Sequence, residues 1–370
     1  MPRISDLTAQ LEAFARMNPT NFKAQLDRLW DILEITSYFG TPKAQPEDTT
    51  YEGDVADVRA FVEWLRNAVE KQKTTPKTAD RLRAFGVLER DILGNLNGPA
   101  AFPRIDRVKF AFQLALRIRE PKLINQTNAN LCGPNSLVIQ MARDRPSQYA
   151  ELAAQLFLTG RGWIDNLEIE PDWPIRLCFN NGALGECDYV VLGSVRNSPA
   201  ILLGDGPIRD TGTLTKPGVL CDWLRRAGYQ DVENHVFFDV PFFVRPIDWM
   251  TSGQIHGPRP TGFTVPSNWQ EKVRNLQTMR DKLATGHKVI MNAEGALSQG
   301  LLCRNLDNSG LGQRLSNAMH THWTFVKKMT LSNTDVTEIK LYSWGGSIKR
   351  GSIPIDDFVS RYSGFVSYRA

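Results

Sequence analysis

Cys132 is the residue around which chemistry can be built. It stands in the stretch NQTNANLCGPNSLVIQM, residues 125–141, with Gly133 and Pro134 behind it and an apolar run at Leu137, Val138, Ile139 and Met141. That pattern predicts a helix beginning at the Cys. A thiol in the first turn of a helix sits at the positive end of the helix dipole, which favours the nucleophilic thiolate. Gln126 lies six positions earlier (132 − 126 = 6). Its amide is a donor of the kind that steadies an oxyanion forming on a substrate carbonyl, with the Cys132 backbone N–H as the second donor. His322, followed by Trp323, Phe325 and Val326, opens a strand, and its imidazole is the base that such a thiol requires. His320 lies two residues before it and would face the same side of that strand. His322 is preferred because it abuts the apolar run.

Bringing a helix-borne thiol to a strand-borne imidazole calls for helices followed by a sheet, and the chain is ordered that way. Residues 1 to about 120 read as helices. Leu7, Leu11, Phe14 and Ala15 recur at helical spacing, as do Phe22, Leu26, Leu29, Ile32 and Leu33. A third helix is expected over 54–71, with Phe61, Val62, Leu65 and Val69 on one face, and a fourth from Pro76 to the stop at Asn97-Gly98-Pro99. Residues 105–119 fit either a helix or a buried extended piece. After Cys132, Pro146 opens a helix that Gly160 ends, residues 188–195 fit strand or helix, and helices follow from Pro217 and over 269–283. Residues 236–245 are β-prone but interrupted by Pro241. From Lys288 the pattern turns to strands: 289–291, an antiparallel pair 322–329 and 336–342, and a last strand over 364–368 after a short helix at 356–362. The polar, Gly-rich residues 295–317 form a long loop of the functional kind. Helices first and a meander afterwards give an α+β fold, with residues 1–120 a helical accessory domain, serving for docking or as a lid, and residues 121–370 carrying the site.

Composition excludes several classes. The 370 residues are 42% hydrophobic and 23% charged, with a net charge of +4, and no stripe of Lys and Arg tracks phosphates, so nucleic acid is not an expected partner. The five cysteines (Cys132, Cys178, Cys187, Cys221 and Cys303) are scattered, odd in number and without a C-x-x-C pair, which suits reduced thiols and not zinc. Asp205, Asp210 and the pair Asp356-Asp357 lack ligand spacing, so no metal or other cofactor is expected. The opening MPRISDLTAQLEAF has no apolar core of a signal peptide, and no stretch is long enough to span a membrane. The expected location is therefore cytoplasmic as made, with export only by a dedicated secretion system.

Gln126, Cys132, His322 and the later Ser343-Trp344-Gly345 resemble, in order and local setting, the papain-like cysteine proteases. That family carries Gln, then Cys six residues on at the start of a long helix, then a His at a strand start, then Asn-Ser-Trp-Gly. Tyr342 stands where the family has its Asn. The phrases CGPNSLVIQMARDRPSQYAELAAQLFLTGRG and FVSRYSGFV are similar to bacterial papain-fold proteins found among secreted effectors and toxins. The resemblance implies a papain-like cysteine hydrolase fold, a nucleophile helix packed on an antiparallel sheet, over residues 121–370. It implies a thiol protease in which Cys132 attacks, Gln126 holds the oxyanion and His322 moves the proton. Trp344 would shield the imidazole. The group that orients it is open between Ser343, Asn292 and none, the last leaving a dyad. The substrate would be a protein or peptide amide, a glutamine side chain (deamidase or transglutaminase) or a peptidoglycan cross-bridge, and an immunity protein or chaperone would be the partner. The reading from another class is a non-catalytic papain-fold adaptor.

Overall fold

The computed structural model describes residues 55–72, 75–95, 98–126, 131–177, 184–198, 215–237, 269–294, 321–343 and 346–370. Among them are ten α-helices and nine strands, and the class is α+β. The helices expected within residues 1–54 and the loop expected at 295–317 lie outside the described residues, as does the β-prone run beyond Phe237. The chain divides into two units, Met1–Thr213 with Trp344–Gly346, and Leu214–Ser343 with Ser347–Ala370.

The first unit is helical. Helix α1 (Val55–Glu70) buries Phe61, Val62, Leu65 and Val69, the face its spacing foretells. Helix α2 (Pro76–Val87) starts where the Thr75 hydroxyl accepts the Thr78 N–H and Pro76 takes the first helical position. The expected single helix up to Asn97 instead changes pitch, through a π turn at Leu88–Ile92 and a 3-10 turn at Leu93–Asn95, which keeps Leu88, Ile92 and Leu93 buried. The ambiguous 105–119 segment is helix α3 (Arg107–Arg119), nucleated by Asp106, whose carboxylate accepts the Lys109 N–H at 2.9 Å. Helices α4 (Cys132–Asp144) and α5 (Pro146–Thr159) follow, the second closed by Gly160 at φ 74, a left-handed cap for which glycine is suited. A small hairpin, β1 (Gly162–Ile164) with β2 (Leu167–Ile169), was not visible in the sequence because three-residue strands show no period. After α6 (Trp173–Leu177), helix α7 (Glu186–Arg196) is buried almost all round, which is why its apolar run read equally as a strand. Phe110 stacks on Phe157 and Phe61 on Phe112, each at 4.4 Å between ring centroids. The boundary expected near residue 120 falls inside this unit, where Arg117 of α3 pairs with Asp188 of α7.

The second unit is a sheet backed by helices. Its elements are α8 (Pro217–Arg226), β3 (Gln230–Asn234), α9 (Trp269–Ala284), β4 (Lys288–Glu294), β5 (Thr321–Leu331), β6 (Asp335–Ser343), β7 (Gly346–Arg350), β8 (Ile353–Pro354), α10 (Ile355–Ser360) and β9 (Tyr362–Arg369). The seven-stranded sheet has the order β3-β9-β4-β5-β6-β7, with β8 pairing β6. Strands β3 and β7 were not foreseen. Strand β3 reads QDVEN, too polar for a strand signal, and bulges between Gln230 and Glu233. One face of the sheet carries Val289, Met291, Ala293, Val326 and Leu341 into a core shared with Leu276 and Met279 of α9 and Phe358 of α10.

Gly364 sits in β9 opposite Asn292 at φ 116, and an added Cβ would strike the His235 carbonyl oxygen and the Val236 Cα. Both obstacles are backbone. Gly364→Ala is therefore expected to lower unfolding free energy by about 3 kcal/mol, from the positive φ and the clash together. A urea-denaturation series measures it, and a loss below ~1 kcal/mol would contradict this packing.

Candidate active site

Cys132 is the first residue of α4, and it is buried. Leu131 stands at the cap position and offers no side-chain hydrogen bond. Asn135 N–H bonds the Leu131 carbonyl at 2.7 Å, and Pro134 has no N–H. Cys132 and Gly133 therefore stand in the first turn of the helix, at the positive end of its dipole. Leu137, Val138, Ile139 and Met141 are buried behind the thiol, so the apolar face that predicted the helix also fixes it in the unit.

Gln126 is 3% exposed, and its side-chain oxygen has no hydrogen-bond partner among the described residues. It ends an irregular buried segment that leaves α3 through a 3-10 turn at Pro121–Leu123. The residue before it, Asn125, donates its backbone N–H to the Asp188 carboxylate at 3.0 Å. Cys132 and Gln126 belong to the same unit, whereas His322, Asn292 and Ser343 belong to the other.

His322 is the second residue of β5 and is buried. Burial drives its imidazole pKa down to about 3, so the ring is neutral at pH 7. The β4–β5 register pairs His322 with Ala293 and Trp323 with Asn292. Directly opposed residues share a face and successive residues alternate, so Asn292 projects from the face opposite to His322. That removes Asn292 as an orienter of the imidazole. Tyr342, in the position of the expected Asn, pairs with Phe325 and stacks on its ring at 5.9 Å, which also sets it on the other face. On that same face Trp323 donates its indole N–H to the Thr215 carbonyl at 2.8 Å. Ser343 ends β6, while His320, Trp344 and Gly345 lie outside the described residues. Thr324, missed in the sequence, shares the His322 face two residues on, and its buried hydroxyl has no hydrogen-bond partner among the described residues.

The thiols differ in setting. Burial pushes Cys187 up to about 12 and Cys221 up to about 11, which makes both inert at neutral pH. Cys178 and Cys303 lie outside the described residues. Among the described residues no group of His, Cys, Asp or Glu is placed to hold a metal ion, and no helix is long and apolar enough to cross a membrane. Comparison with protein-family models, with curated proteins and with solved structures finds no match to this chain.

The His322 shift has a stability consequence. Its folded pKa lies below the unfolded value of about 6.5, so the unfolded chain binds the proton first as pH falls. The contribution is present above pH 6.5 and is lost on the way down toward the folded pKa. Over that window wild type is expected to lose up to ~1.4 kcal/mol per pH unit more than His322→Gln. Urea midpoints between pH 7 and 4 measure the difference, and parallel curves for the two proteins would exclude a neutral buried His322.

Proposed function

We propose that the protein is a papain-like cysteine hydrolase that cleaves amide bonds, with Cys132 as nucleophile. The observation that carries this is the start of α4: a thiol at the first helical position, with no side-chain cap, and a buried Gln126 six residues upstream. The two-part construction supports it as well, since the thiol belongs to a helical unit and the imidazole to an antiparallel sheet. In this reaction the Cys132 proton passes to the imidazole of His322 and the thiolate attacks the substrate carbonyl carbon. The oxyanion is held by the Gln126 amide and the Cys132 N–H. The C–N bond breaks as the imidazolium gives its proton to the leaving amine. Water, deprotonated by the same ring, then opens the thioester. A neutral ring suits the first step, since only an unprotonated imidazole can accept the proton of the thiol. Peptide and isopeptide bonds are the first substrates to test, then glutamine side chains and peptidoglycan cross-bridges. Delivery as a bacterial effector or toxin, restrained by an immunity protein or chaperone, is the setting in which such an enzyme would act.

A non-catalytic adaptor is the second reading, and Tyr342 favours it, because an aromatic ring packed on Phe325 replaces the Asn that orients the imidazole in the family. Alkylation by iodoacetamide against pH, with the label mapped, separates the two. The hydrolase should label at Cys132 with a midpoint well below the ordinary thiol value of about 8.5, and His322→Ala should restore the ordinary midpoint. Gln126→Ala should lower kcat by roughly 10²-fold once a substrate is found, and Cys132→Ala should abolish turnover. Labelling of Cys132 no faster than of Cys187 or Cys221 in the native protein would overturn the enzyme reading.

A further inference from the structure

We infer that Asp188 is a positioning residue for the oxyanion donor Gln126, acting through the Asn125 backbone; this rests on the hydrolase reading above. Asp188 lies in the first turn of α7 and is 1% exposed. Its carboxylate takes a two-pronged bond from Arg117, Nε to Oδ1 at 2.6 Å and Nη2 to Oδ2 at 2.5 Å, and Oδ2 also accepts the Asn125 N–H at 3.0 Å. Arg117 is held in turn by its own helix, Nη1 donating to the Gln113 carbonyl at 3.0 Å, and the Gln113 side chain accepts the Cys187 N–H at 2.9 Å. The carboxylate is thereby clamped from two helices before it reaches the loop. Gly185, just ahead of α7, leaves room for the clamp, since a Cβ there would come within 2.9 Å of the Gln113 side-chain oxygen and 3.0 Å of Arg117 Nη2.

The segment receiving this bond is irregular. Ile124 caps the 3-10 turn, its N–H donating to the Pro121 carbonyl at 3.2 Å, and the buried Asn125 and Gln126 that follow belong to neither helix nor strand. An apolar pair between α3 and α7 would hold the helices together as well as a buried ion pair does. What the ion pair adds is a rigid acceptor for the N–H of Asn125, the residue before Gln126. Donor placement matters at the scale of an ångström for oxyanion stabilisation, and a fixed acceptor next to the donor residue supplies that placement.

Two reactions of the same thiol isolate the effect. Acylation by p-nitrophenyl acetate passes through a tetrahedral oxyanion: the S–C bond forms and p-nitrophenolate leaves. Alkylation by iodoacetamide is a direct displacement of iodide and forms no oxyanion. The ratio of the two rates at Cys132 therefore reports the oxyanion donors and not thiol reactivity or overall folding. In the full-length protein, Arg117→Met with Asp188→Asn removes the charges but keeps an acceptor for Asn125, whereas Arg117→Met with Asp188→Leu removes the acceptor too. We expect the ratio to fall at least about tenfold further in the Leu form than in the Asn form, and to fall no further when Gln126→Ala is added to the Leu form. Equal ratios in the two forms would overturn the positioning role. Should Gln126→Ala in the wild-type background leave the ratio unchanged, the oxyanion role of Gln126 fails first, a separate result. If either double variant does not fold, Asn125→Pro deletes the N–H and leaves the ion pair whole. The same loss of ratio is expected there, and an unchanged ratio would again overturn the role.

Discussion

The buried pair of Arg117 and Asp188 is the constraint on which the helical unit turns. Taking a guanidinium and a carboxylate out of water costs several kcal/mol for each ion, and only close two-pronged geometry with further hydrogen bonds offsets that. All of these are present: two short bonds between the ions, a carbonyl for the remaining guanidinium nitrogen, and a backbone N–H for the carboxylate. Burial alone would lower the Arg117 pKa, but the facing carboxylate outweighs it and the net shift is upward, so the pair stays charged. Because the partners are 71 residues apart in sequence, the pair also fixes the exit of α3 against the entry of α7. The chain that runs to Gln126 starts from that fixed exit.

In the sheet unit the governing constraint is register. A strand pair assigns every side chain to one of two faces, and a shift by one residue would exchange them all. The pairing of Val289 with Val326 and Ala293 with His322 keeps small and aliphatic residues toward α9 and places the imidazole on the same side. The indole of Trp323 and the rings of Phe325 and Tyr342 take the other side. The electrostatic state of His322 follows from its burial, which disfavours the charged ring.

How far the sequence reveals this depends on whether the signal is local. The start of α4 at Cys132, the Pro-led starts of α5 and α8, and the hairpin of β5 and β6 across Ser332-Asn333-Thr334 follow from caps, prolines and alternation, all read within a few residues. Where burial is complete, as along α7, periodicity vanishes and helix and strand look alike. The short β1 and β2 and the polar β3 carry too little pattern to register. Among site residues, Cys132, Gln126 and His322 stand out by type and neighbours. The opposition of Asn292 and His322 across the sheet depends on which residues of two distant strands pair, and no spacing within either strand encodes that. Asp188 gave no signal for the same reason: its partners are set by how α3 and α7 pack.

The polarity of β3 acts beyond the fold of one molecule. An open sheet ends in a strand whose unpaired peptide groups can template a second chain, and edge-to-edge pairing of that kind leads to aggregates. Here the edge is five residues long, reads QDVEN, and is kinked by a bulge with Asp231 at φ 49. One of its carbonyls, that of Val232, is taken by the Arg225 guanidinium at 3.0 Å. Short, charged, twisted and partly capped, the strand offers a poor template. The feature that hid β3 from sequence reading is thus one that makes this end of the sheet a poor template for a strand from a neighbouring molecule.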